Sequence, residues 1–68
     1  MDIGIDKIGD NAGKIWETLN ANGSMSVAQV KKKTTLSDPE TNMAIGWLAR
    51  EEKVSFTKKG KSINIALV

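Results

Sequence analysis

Apolar residues recur at helical spacing along the first third of the chain. Ile8, Ala12, Ile15, Trp16 and Leu19 fall at i, i+4, i+7, i+8 and i+11, which puts them on one stripe. The pattern predicts a helix from about Asp6 to Asn20, capped by Asp6 or Asp2 and stopped by Asn22-Gly23. Gly9 and Gly13 lie four apart inside it and share a face. Each costs about 1 kcal/mol against Ala. Either they admit a neighbouring backbone or they merely weaken the first turns.

Ser24-Met25 is long enough to add one extended rung to a sheet. Ser26-Val27-Ala28-Gln29 then reads as a capping box, in which the Ser hydroxyl accepts from the N3 amide and the Gln side chain reaches back. A second helix is expected from Val27 to about Thr34, with Val27 and Val30 facing inward. Ser37-Asp38-Pro39-Glu40 is another capping box, with Pro39 in the first turn. It opens a third helix running to about Glu51, whose core face is Thr41, Ala44, Ile45 and Leu48. Two capped helices separated by little more than Thr35 and Leu36 describe a helix-turn-helix.

After Glu52-Lys53 the period changes to two. Val54 and Phe56 alternate with Ser55 and Thr57, while Ile63, Ile65 and Leu67 alternate with Ser62, Asn64 and Ala66. With Lys58-Lys59-Gly60-Lys61 as the pivot, Thr57 pairs with Ser62, Phe56 with Ile63 and Val54 with Ile65. All four apolar residues then share one face.

Three helices followed by a C-terminal hairpin is the order of a winged helix-turn-helix, an α+β fold that is mainly helical. The chain resembles the small bacterial winged helix-turn-helix family first catalogued as a domain of unknown function. The stretch Ala44-Ile45-Gly46-Trp47-Leu48-Ala49-Arg50-Glu51-Glu52-Lys53-Val54 carries most of the likeness, and Ile8-Gly9-Asp10-Asn11-Ala12-Gly13-Lys14-Ile15-Trp16 supports it. The resemblance implies a winged helix and a homodimer, and it implies no established biochemical activity.

With 68 residues the chain is expected to form one domain over 1–68. Chains this short bury only about 60% of their unfolded surface and often need a staple. The sequence has no Cys and no His. Disulfides and thiolate or imidazole metal sites are therefore excluded, and self-association is the staple left. No cofactor or small-molecule substrate is indicated. No apolar run approaches the roughly 20 residues that span a bilayer. The opening Met1-Asp2-Ile3-Gly4 lacks a signal peptide's basic start and apolar stretch, so the expected location is the cytoplasm.

The net charge of +2 is small, but it is unevenly placed. Lys31, Lys32 and Lys33 form one positive block, and Lys58, Lys59 and Lys61 form another at the expected wing tip. In a helix-turn-helix the second helix of the pair enters the major groove. The two blocks would then grip phosphates on either side of it. On the third helix only Asn42 and Arg50 have good base-reading chemistry, towards adenine and guanine. Arg50 sits at the far end, and Asp38 and Glu40 at the near end repel phosphate. Met43 and Trp47, four apart, would make an apolar patch suited to a protein partner unless Trp47 tucks beneath the wing. Ile3 and Ile5 alternate before the first helix and can join that interface.

Thr35 stands where the common turn favours Gly, which predicts a longer or differently shaped turn. No catalytic constellation is present: His, Cys and Tyr are all missing. Two functions follow from this reading. One is a nucleic-acid-binding domain, acting on double-stranded DNA as a transcription-related accessory protein. The other is a homodimerising interaction module that uses the third helix and binds no DNA.

Overall fold

The computed structural model describes residues 4–68. The first helix, α1, spans Ile5–Asn22. Its N-cap is Gly4, with no side-chain bond to the free amides, so Asp6 does not cap it. Asp6 instead sits in the first turn, where its charge favours the positive end of the helix dipole. Asp2 and Ile3 lie outside the described residues. Ile5 is the first helical residue rather than part of an extended lead-in, and it is exposed.

The strand β1 (Met25–Ser26) leads directly into α2 (Val27–Thr34). Both halves of the Ser26 capping box form: Gln29 N–H donates to Ser26 Oγ at 3.1 Å, and Ser26 N–H donates to Gln29 Oε1 at 3.1 Å. The second box repeats this at α3 (Asp38–Arg50), with Glu40 N–H on Ser37 Oγ at 3.2 Å and Ser37 N–H on Glu40 Oε1 at 3.0 Å. Such caps are worth about 1 kcal/mol each.

The turn between α2 and α3 corrects the sequence expectation. Thr35 does adopt the left-handed conformation, with φ 56° and ψ 28°. Its hydroxyl donates to the Thr34 carbonyl at 2.6 Å. Leu36, the next residue, is buried in the core. The capped helix beyond it and the anchored Leu36 over-determine the turn, which carries the strain of a β-branched residue. Glu52 holds the same unusual conformation at φ 58°. There Lys53 N–H reaches Leu48 O and Glu52 N–H reaches Ala49 O, both at 3.0 Å, the two bonds of a Schellman ending.

The hairpin consists of β2 (Val54–Lys59) and β3 (Ser62–Leu67), and the sheet order is β1-β3-β2. Its register differs by two residues from the expected one. Lys59 pairs with Ser62, Phe56 with Ile65 and Val54 with Leu67. The strands run up to a two-residue turn, Gly60-Lys61, in which Gly60 has φ 59°. Glycine at the first central position suits a type II′ turn, which matches the twist of the strands. A shift by two leaves every side chain on its face, so alternation cannot distinguish the two registers.

The core joins Ala12, Ile15 and Leu19 of α1 to Val30 of α2, to Ala44, Ile45 and Leu48 of α3, and to Met25, Val54 and Ile65 of the sheet. The third helix buries the face read from its spacing, Thr41 included, whose hydroxyl donates to Ser37 O at 2.8 Å. The result is a mainly helical winged helix with a three-stranded antiparallel sheet.

Candidate nucleic-acid interface

Helical spacing turns Pro39, Met43, Gly46 and Arg50 outward from α3, because the buried residues occupy the opposite side. Asn42 lies on the flank facing α2 and the wing. It lines two neighbouring grooves. The first, about 640 Å³, runs between α2 and α3 and includes Lys31, Lys32 and Thr35. The second, about 630 Å³, runs between α2, α3 and the hairpin and includes Phe56, Lys61 and Ile63. Asn42 is exposed and borders both.

The lysine blocks are not uniform. Lys31 lies 2.6 Å from Asp38, so its charge is already paired across the turn. Lys32 faces the α2–α3 groove. Lys33 instead borders a depression with Lys14, Thr18 and Asn22 of α1, away from α3. Three successive helical residues spread over about 200°, and they cannot share one face. In the wing, Lys58 pairs with Ile63 and shares the inner face with Phe56. Lys59 points to the outer face, and Lys61 occupies the turn beside the second groove. Arg50 is exposed at the last turn of α3 and lines neither groove.

The start of α3 is negative. Glu40 has its carboxyl held below the ordinary 4.5, first by the Ser37 backbone N–H and then by the Ser37 hydroxyl, with Lys7 adding attraction. Asn11 of α1 also lies near enough to Glu40 to favour its charge slightly. That amide is 1% exposed, and neither of its polar atoms has a partner at full hydrogen-bond distance. The Glu40 charge therefore persists in solutions well below neutral. An approaching phosphate meets it and Asp38 unless it arrives from the wing side.

On the other flank of α3, Trp47 leans over α1 rather than beneath the wing. A Cβ placed at Gly9 would sit 3.7 Å from the indole Cζ2. Gly9, Gly13, Trp16, Glu17, Trp47 and Lys53 surround a shallow depression of about 290 Å³. Gly9 thus admits a ring, not a backbone. Trp16 is 38% exposed, Trp47 37% and Met43 45%, so all three keep large apolar area in water. Sequence reading assigned Trp16 to the buried stripe. Its place at the edge of that stripe, next to two glycines, is the signal that marks it otherwise. Phe56 and Ile63 were also expected to be covered, yet each is 47% exposed. Lys58, continuing their parity in β2, marks where that face leaves the core.

Among the described residues no cluster of His, Cys, Asp or Glu is suited to hold a metal, and no helix is long and apolar enough to cross a membrane. Comparison with known proteins matches residues 1–67 to the family model described as winged helix-turn-helix domain DUF2582. A protein of Methanocaldococcus jannaschii, MJ1608, is 42% identical over 64 residues, which is 90% of each chain. The solution NMR structure of protein BT2368 from Bacteroides thetaiotaomicron is similar at TM-score 0.81 and 42% identity, covering 93% of this chain and 79% of that one. The archaeal relative makes the likeness wider than a bacterial one.

Proposed function

We propose, since the chain belongs to the winged helix-turn-helix domain family DUF2582, that it binds nucleic acid, with duplex DNA as the substrate class. Lys32, Lys58, Lys59 and Lys61 grip phosphates, and Asn42 is the side chain placed to read a base edge. The observation that supports this reading most is the position of Asn42. It stands between a groove bearing Lys32, with Lys31 paired to Asp38, and a groove bearing Lys61. Lysines from α2 and the wing thus converge on the first half of α3, the part of a recognition helix that meets bases. Arg50 contacts the far edge of the same duplex, and Lys33 acts only through its longer-range field.

A salt titration with labelled duplex tests the proposal. Affinity should fall steeply as salt rises, and each wing lysine replaced by Ala should lower the log–log slope by about 1. Absence of any salt-dependent binding at low ionic strength removes the reading.

A second reading is favoured by a separate observation, the exposed Trp16 and Trp47 beside Gly9 and Gly13. This α1–α3 face, extended by Met43 and Ile5, is suited to a second copy of the chain. Glu17 and Lys53 on its border offer charges of both signs, which a two-fold contact can pair across the axis. Trp47 and Asn42 lie on opposite flanks of α3, so a dimer through this face leaves the grooves open.

A further inference from the structure

The groove between α2, α3 and the wing carries Lys61, where a phosphate can lie, but is otherwise lined mostly by apolar side chains that a duplex backbone does not use. Its apolar walls are Val27, Ala28, Ile45, Phe56 and Ile63, with Ser26 and Ser62 beside them. A phosphate pressed against the apolar walls would lose its hydration without compensation. Phe56 and Ile63 belong to the inner face of the sheet, yet the helical layer stops short and leaves nearly half of each exposed. The one charged residue lining the groove is Lys61, and Lys58 shares the strand face of Phe56. No acid lines it. The polar side chain entering from α3 is Asn42, whose amide offers one donor side and one acceptor side.

We infer that this groove takes a single unpaired nucleotide: its base stacks on Phe56, its base edge meets Asn42, and its phosphate lies at Lys58 and Lys61. The inference rests on the nucleic-acid reading above and narrows it to strands that carry a base outside the duplex stack. Aromatic side chains beside cationic ones are how proteins hold single strands, because every base has a π-face. A duplex keeps its bases stacked and cannot present one to the ring. A peptide adding to the sheet would use the free edge of β2, the longer of the two outer strands, and not this concavity.

The test compares three labelled probes of matched length on the full chain: a blunt duplex, the same duplex with a single-stranded thymidine tail, and a thymidine single strand. The tailed duplex is expected to bind roughly tenfold tighter than the blunt one, the scale of one stacked base. Phe56→Leu should remove that preference and leave blunt-duplex binding unchanged, while Phe56→Tyr should retain it. Asn42→Ala, at an exposed helical site, should weaken the blunt duplex and weaken the tailed duplex more, since Asn42 serves both readings.

Equal, salt-sensitive binding of all three probes overturns the inference and leaves the duplex reading standing. Binding of none overturns both. Phe56→Leu that weakens blunt and tailed duplex alike, in a chain with unchanged thermal unfolding, overturns the inference. So does displacement of the tail by an acidic apolar peptide at equal or lower concentration than by free single strand.

Discussion

Lys31 and Asp38 meet at 2.6 Å across the helix-turn-helix, tying the last turn of α2 to the first turn of α3. The pair is solvent-accessible, with side-chain exposures of 43% and 75%, so its worth to stability is small, about 0–1 kcal/mol. Its larger effect is on charge, since it neutralises one cation of the α2–α3 groove. Asp38→Asn should release Lys31 and remove an acid together. Duplex affinity at low salt should rise several-fold, and the salt slope should steepen by about 1. A fluorescence titration at several salt concentrations reads both.

Thr35 and Glu52 bracket α3 with left-handed backbone, at φ 56° and 58°. Side chains other than glycine pay about 1–2 kcal/mol there, and glycine gives part of this back through a freer unfolded chain. Thr35→Gly and Glu52→Gly should each stabilise by roughly 0.5–1 kcal/mol. The sites lie at opposite ends of a 13-residue helix, so their effects should add. Urea unfolding of the two single variants and the double variant checks this.

Gly13 lies in the Trp16–Trp47 depression with nothing within 4 Å of where a Cβ would stand. Gly13→Glu can therefore fold without a clash, and it exchanges a poor helix former for a better one, a gain of up to about 1 kcal/mol. The buried charge it brings should break any dimer through this face. Sedimentation equilibrium should show self-association in the parent chain, weakened by Gly13→Glu and by Trp47→Ala. A parent chain that remains monomeric at high micromolar concentration counts against the dimer.

Acid should expose the role of Glu40. Its folded carboxyl titrates below its ordinary 4.5 because Ser37 hydrogen-bonds the charged form. A depressed folded value means that the unfolded chain takes up the proton first. The contribution to stability is therefore complete above about pH 4.5 and is lost as pH falls through the lower, folded value. Glu40→Gln keeps a side-chain acceptor for the Ser37 amide but has no proton to gain. Its thermal midpoint should change less than the parent's below pH 4.5.

Asn11 is buried against α3 with neither amide atom fully paired. Burying such a group costs about 1–3 kcal/mol. Asn11→Leu, similar in branching, should be neutral or stabilising by up to about 1 kcal/mol after some overpacking. Thermal unfolding at neutral pH measures the difference.

What could be read along the chain was local. Both capping boxes involve atoms three residues apart, and both formed as spaced. The core face of α3 followed from its period alone. Questions of which neighbour packs where were beyond reach. Spacing put Trp47 on a flank of α3, but the glycine that receives it lies in α1. Alternation put Phe56 and Ile63 on the inner face, but it cannot tell how far the helical layer extends beneath them. The Thr35 expectation failed because a steric cost was weighed without the buried Leu36 and capped helix that impose it. The lysine triplet was a different case. A turn of about 100° per residue already separates Lys33 from Lys31, and the chain itself contained that information.

The two-residue tip at Gly60-Lys61 makes the wing an adjustable arm. Adding one residue to each strand next to the tip lengthens it by about 3.3 Å and leaves Val54 and Ile65 where they anchor the core. The arm can therefore change length while the body keeps its packing, and variants with longer or shorter arms should melt alike.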